Sequence, residues 1–254
     1  ILLLPPPGRA VVHVERQRAQ ALANDLYAVD ANQRGAMVHV NGEWGRLDSV
    51  YDCLLGANLD PVVPVDRHVM LTRLRGWAVV RGYSTELNAE SLHSFGQELD
   101  GTVVWHFRFP AADGLYASLY VRLRLCELRN RVEVQFSRLG AADAGDLADD
   151  VPLRLILRPD LEDRSCHGVT KASEGPEDAW PAAISPSEGG FTFQPAAERR
   201  VRVDLEGGEF VSEPWADPRA RPPALPAIPT PRAAAIAPAR RPTPSTGATA
   251  TAST

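Results

Sequence analysis

Leu115-Tyr116-Ala117-Ser118-Leu119-Tyr120-Val121-Arg122-Leu123-Arg124-Leu125 decides the fold class. Leu119, Val121, Leu123 and Leu125 fall on one side of an extended chain, and Tyr120, Arg122 and Arg124 on the other. A period of two with one apolar and one polar side is a strand with one face buried and one face wet. Working outward, the pattern repeats. Upstream, Val103, Trp105, Phe107 and Phe109 oppose Val104, His106 and Arg108; downstream, Val132, Val134 and Phe136 oppose Glu133, Gln135 and Ser137. Val38 with Val40, Val69 with Leu71, the run Trp77–Val80, Leu153 with Leu155 and Leu157, Phe191 with Phe193, and Val201 with Val203 and Leu205 extend the series. Turn-forming punctuation separates the segments, at Ala112-Asp113-Gly114, Arg129-Asn130, Ser187-Glu188-Gly189-Gly190 and Gly207-Gly208. Many short alternating strands predict an all-β protein, an antiparallel β-sandwich. The wet faces with their arginines suit solvent or a neighbouring domain.

One stretch has a different period. Between Glu15 and Ala31, Ala19, Leu22, Leu26 and Val29 recur at three- and four-residue spacing, which predicts a single N-terminal helix closed by Gly35. At the other end, residues 219–254 contain no acidic and no aromatic side chain. Such a segment buries too little apolar surface to offset its chain entropy, so a disordered Pro/Ala-rich tail is expected. Its Ala/Pro/Arg/Thr mixture is that of GC-rich DNA translated off frame; a natural Pro-rich linker is the alternative. The expected division is residues 1–35 as stub and helix, 36–214 as the sandwich, and 215–254 as the tail. A truncated or excised piece of a longer protein is expected, since the chain opens on Ile1.

Composition narrows the function classes. A chain of 254 residues with 44% apolar and 23% charged residues is ordinary for a globular protein, and a net charge of -5 argues against nucleic acid and anionic membranes as partners. Lys171 is the only lysine, so the arginine excess reflects a GC-rich genome rather than phosphate recognition. Cys53, Cys126 and Cys166 are widely spaced and odd in number, which fits buried thiols in a reducing cytoplasm. No apolar run approaches the ~20 residues of a membrane span. Phosphate-binding loops and the GxSxG elbow are missing, and Cys166-His167 are adjacent, so neither a cofactor nor a metal site is expected.

Three places gather special residues. Asn41-Gly42-Glu43-Trp44-Gly45 sets an indole between glycines, where it either stacks on a sugar ring or lids a core edge. Asp60-Pro61-Val62-Val63-Pro64-Val65-Asp66-Arg67-His68 is a proline-bracketed loop in which Asp66 and Arg67 are expected to pair. Asp160, Glu162 and Asp163 lie among Arg158, Arg164, His167 and Lys171; a salt-bridged turn outweighs a catalytic carboxylate pair, and the basic residues suggest an edge facing a domain or sugar hydroxyls.

These same residues carry a resemblance. Asn41–Gly45, then Tyr51-Asp52-Cys53-Leu54-Leu55-Gly56-Ala57-Asn58, then Arg67-His68-Val69-Met70-Leu71-Thr72-Arg73-Leu74 resemble the N-terminal domain of bacterial and archaeal type glycogen-debranching enzymes, whose Gly-rich start leads to a "YHGLL"-like and then an "R-x-V-L-L-S-K-L"-like strand. Leu157-Arg158-Pro159 with Arg164 and His167 is similar to a second signature of that domain. The resemblance spans about Val38 to Glu213. It departs from the family at Ser49-Val50, where basic residues precede the tyrosine, and at Asp52, where a histidine follows it. It implies a supersandwich packed on a helical (α/α)-toroid that carries the amylo-α-1,6-glucosidase carboxylates and is missing from this chain. The expected role is therefore non-catalytic support of that toroid and of an α-glucan (glycogen or limit dextrin) cleft. Asn41, Trp44, Arg67, Arg164 and His167 are the candidates for substrate or domain contact. The alternatives are a stand-alone carbohydrate-binding or scaffold sandwich and, more weakly, a small hydrolase using the carboxylates at 160–163.

Overall fold

The computed structural model describes residues 2–3, 11–15, 26–60, 62–63, 65–169, 180–212, 238–239 and 248–253. Antiparallel strands dominate them. The smaller sheet is built from β3 (Tyr27–Ala31), β4 (Met37–Asn41), β5 (Cys53–Asn58), β6 (Arg67–Val80) and β12 (Leu153–Ser165), ordered β12-β6-β5-β4-β3, with β7 (Tyr83–Glu86) paired to β6. The larger sheet begins with β1 (Leu2–Leu3), β2 (Val11–Glu15), β8 (Leu92–Glu98), β9 (Val103–Ala112), β10 (Leu115–Leu125) and β11 (Arg131–Leu139) in that order. It continues through β17 (Ala248–Ser253) to β15 (Arg199–Glu206), β14 (Gly190–Ala196) and β13 (Ile184–Ser187), while β16 (Pro238–Ala239) lies parallel to the end of β11.

The two layers close on one core. Trp105, Phe107, Phe109, Leu119, Val121, Leu123, Val132, Val134 and Phe136 from the larger sheet meet Leu54, Leu55, Met70, Leu71 and Leu74 from the smaller. These are the apolar sides read from the alternation. The β9–β10 hairpin turns on Asp113 and Gly114, whose φ of 53° and 74° is the geometry a two-residue hairpin of native twist requires.

Two expectations are corrected. The predicted helix falls partly on residues 16–25, outside the described residues, but its last turn is strand β3, paired with β4 from Tyr27↔Asn41 to Ala31↔Met37. Burial there alternates, with Ala28 at 1% exposure and Val29 at 56%, so the three- and four-residue spacing does not mark a buried stripe. Gly35 does adopt a left-handed φ of 90°, but it closes the β3–β4 turn, where its N–H donates to the Asn32 carbonyl at 2.9 Å. The expected disordered tail also contributes a strand: β17 pairs with β11 from Arg131↔Ser253 to Phe136↔Ala248 and with β15 on its other edge. Ala248-Thr249-Ala250-Thr251-Ala252-Ser253 alternates with period two, and the two facing strand edges offer it hydrogen bonds on both sides. The rest of the tail lies outside the described residues.

Candidate functional site

The residues singled out from the sequence converge on the β4–β5 connection, residues 42–52. Asn41 ends β4 buried; its Oδ1 accepts the Glu43 N–H at 2.8 Å and its Nδ2 donates to Asp48 Oδ2 at 3.3 Å. This local side-chain turn reverses the chain, and Gly45 completes the reversal with a φ of 76°. The chain therefore folds inward at Trp44, which is 5% exposed and sets its indole edge-on to Trp105 at 5.0 Å and to Phe136 at 6.2 Å. Of the two readings of Trp44, the geometry is that of a lid on the core edge. Trp105 ties the same loop down by donating Nε1–H to the Gly42 carbonyl at 3.1 Å.

Asp52 closes the connection. It is 2% exposed; Oδ1 lies 2.8 Å from the His39 ring, and Oδ2 accepts the N–H groups of Asp48 at 2.5 Å and Ser49 at 2.7 Å. Arg46 bridges Asp48 at 2.6 Å and Glu43 at 3.1 Å, and those hydrogen bonds, Asp48's foremost, raise its guanidinium pKa.

The second wall comes from β12. A bulge between Leu161 and Arg164 inserts an extra residue opposite Leu71–Val69 of β6. Arg164 reaches back across the sheet, donating to the carbonyls of Val50 at 2.7 Å and Gly168 at 3.0 Å. His167 is exposed, its ring edge-on to Tyr51 at 5.8 Å with Nδ1 3.4 Å from the phenolic oxygen. The Arg67 carbonyl accepts the Cys166 N–H at 2.9 Å beside His167, while its side chain turns to the β3–β4 connection and donates Nε–H to the Gly35 carbonyl at 2.8 Å. The expected Asp66–Arg67 pair does not form, and Asp66 instead lies 3.2 Å from His68.

The carboxylates at 160–163 are salt-bridged. Asp160 receives Arg73 at 2.5 Å and Arg75 at 2.7 Å, Asp163 receives Arg199 at 2.7 and 3.0 Å, and Glu162 lies 3.6 Å from Arg164. The Asp163 hydrogen bond raises the Arg199 pKa. Arg73 also donates to the Gly45 carbonyl at 3.1 Å, linking this network to the loop. Beneath it, Met37, Cys53, Val69 and Cys166 form a small buried cluster, where burial pushes the Cys53 thiol up to about 12. Among the described residues no metal-ligating side chains group in threes, and no helix is long and apolar enough to cross a membrane.

The structure thus brings Asn41, Trp44, Arg164 and His167 to one neighbourhood and directs the Arg67 side chain to the adjoining β3–β4 turn. Sequence reasoning missed the part played by Asp52, whose departure from the family's histidine was the available signal.

Comparison with curated proteins and with solved structures yields no match. A family model described as "Glycogen debranching enzyme N terminal" matches residues 28–218, a span that begins in β3 and takes in both sheets through β15. With three quarters of its length accounted for in this way, the chain belongs to the family of glycogen debranching enzyme N-terminal domains.

Proposed function

We propose that the sandwich is the non-catalytic partner of a helical catalytic toroid, holding that toroid in place and shaping one side of an α-glucan cleft in the cytoplasm. The observation that carries this reading is the family match at 28–218, which covers the whole of β4 to β15 and so the greater part of both sheets. The acid and base carboxylates for α-1,6 hydrolysis belong, in this reading, to a domain outside these residues. The carboxylates at 160–163 lend support, because all three lie against arginines rather than across an open cleft. Tyr51, Arg164 and His167 form the rim presented to the toroid. Asn41 and Trp44 act from within by fixing the loop that carries the rim, and Arg67 holds the neighbouring β3–β4 turn. The three free cysteines agree with a reducing compartment.

The test is association. Mixed with a separately expressed toroid domain of the same family, the chain is expected to co-elute from a sizing column, and a Tyr51→Ala/His167→Ala double variant to lose that association. Failure of the wild-type chain to associate, or glucose release from a limit dextrin by this chain alone, overturns the reading.

A further inference from the structure

We infer that the outer face of the larger sheet carries a saccharide cleft, sized for one pyranose unit of an α-glucan and separate from the β4–β5 site. The choice of α-glucan rests on the function proposed above; the cleft rests on its own geometry. His93 on β8, His106 and Arg108 on β9, and Tyr116 and Tyr120 on β10 belong to the side of the sheet opposite the core. Their flat groups run on from one another. The His93 and His106 rings lie 4.7 Å apart edge-on, His106 stacks on Tyr120 at 4.6 Å, and the Arg108 guanidinium sits 4.8 Å over the Tyr116 ring.

The loop after β11 forms the wall. Leu147 donates its N–H to the Tyr116 carbonyl at 2.7 Å and Tyr116 donates to the Gly145 carbonyl at 2.9 Å, while Arg108 contacts Asp146 at 3.4 Å. Between wall and ring row lies a cavity of about 210 Å³ lined by His93, His106, Arg108, Tyr116, Asp143 and Asp146. That is below the ~300 Å³ at which pockets for drug-sized ligands begin, and suits a single ring with the rest of a chain leading away.

The chemistry selects the ligand. A pyranose offers a carbon-rich face to flat side chains and an edge of hydroxyls that both donate and accept. The cleft supplies flat rings, a donor in Arg108 and acceptors in Asp143 and Asp146. Asp143 and Asp146 stand beside Arg108, and the second lining arginine, Arg138, spends its guanidinium on the carbonyls of Leu147, Ala148 and Val151, so a neutral sugar is expected rather than a sugar phosphate. Further along the same face the sheet is finished differently, with the ion pairs Arg122–Glu98 at 3.0 Å and Arg124–Glu133 at 2.6 Å. Ordinary solvated pairing thus serves most of the face, and the rings gather where the loop makes a wall.

Maltohexaose titrated into the full chain, followed by calorimetry and by the histidine ring signals, tests this. The signals of His93 and His106 are expected to shift while those of His39 and His167 stay. Tyr116→Ala and Ser118→Trp, the latter obstructing the cleft without removing a ring, are expected to weaken binding at least tenfold with unchanged circular dichroism, and Arg202→Ala, at an exposed ion pair on β15, to leave it unaltered. The inference is overturned by no binding to the wild-type chain, by folded Ser118→Trp binding as wild type, or by competition from inorganic phosphate equal to that from maltose. Shifts at His39 and His167 instead would also overturn it while leaving the proposed function standing, because toroid association is measured separately.

Discussion

Replacing Arg138 by methionine is expected to lower stability by about 2–4 kcal/mol. The period-two pattern of β11 puts Arg138 on the core side after Val132, Val134 and Phe136, and it is 1% exposed. Its guanidinium donates to the carbonyls of Val151 at 2.5 Å, Ala148 at 2.7 Å and Leu147 at 2.9 Å, capping the loop that walls the outer cleft. Burial lowers its pKa, opposed by the charges of Asp149 and Asp150. Each charge-assisted bond is worth about 1.5–3 kcal/mol, but the whole of that is not lost. Ala148 is exposed and Val151 half-buried, so their carbonyls regain water, and methionine recovers apolar contact. The Leu147 carbonyl, in a buried residue, is left without its donor. At about 2–4 °C per kcal/mol for a domain of this size, the melting temperature is expected to fall by roughly 5–15 °C. Urea unfolding gives the free energy, and hydrogen exchange should show protection lost first over residues 141–151. A decrease below about 1 kcal/mol, or exchange unchanged in that loop, refutes the claim that Arg138 anchors it.

Asp52→Ala leaves the Asp48 and Ser49 N–H groups and the His39 ring without their acceptor; a loss of about 2–4 kcal/mol in chemical denaturation is expected, and under 1 kcal/mol counts against the Asp52 cap. Cys53 keeps its proton in the folded state up to about pH 12, whereas an unfolded thiol loses it near the ordinary 9.0, so stability is expected to fall as pH rises between those values and Cys53→Ala to flatten the slope. For Glu133, the Arg124 hydrogen bond holds the carboxyl below its ordinary 4.5; the associated stability is present above that value and lost as pH falls through the depressed one. Both partners are partly exposed, so Glu133→Gln at pH 7 should cost under about 1 kcal/mol in thermal melts. Deleting residues 248–254 removes the strand between β11 and β15, and faster amide exchange in both is expected, with β9 unchanged.

Where burial is one-sided, the sequence is a direct transcript of the fold. Leu119 to Leu125 and Val132 to Phe136 could be assigned to the core because a strand's side-chain period is fixed. β3 was illegible for the opposite reason. It is an edge strand that buries little beyond Ala28, and its exposed Val29 falls by chance into helical spacing with Ala19, Leu22 and Leu26. The β4–β5 site was found through its odd composition, yet composition does not say which way Trp44 points; that depends on the Asn41 and Gly45 turn and on Trp105 across the core. The outer cleft was present in the sequence only as the wet side of two strands. His106, Arg108, Tyr116 and Tyr120 become a ring row through the β9–β10 register, in which Tyr120 opposes His106 and Ser118 opposes Arg108.

The arginine excess, read first as a genomic signature, acquires a structural use in this fold. Arg34 donates to the Asp60 carbonyl, Arg67 to Gly35, Arg73 to Gly45, Arg138 to Leu147, Ala148 and Val151, and Arg164 to Val50 and Gly168. Each of these acceptors lies in a connection or at its edge, and each arginine but Arg34 belongs to a strand. A planar fork with five fixed donors can span two or three such carbonyls, where a lysine ammonium presents a single point of charge. Among the described residues there is almost no helix to brace the loops, and guanidinium groups rooted in the sheets fix the loop positions instead. A surface stapled in this way is set before any partner arrives, which lowers the ordering cost of docking. That is the physical property the proposed role, holding a second domain and one side of a glucan cleft in register, would require.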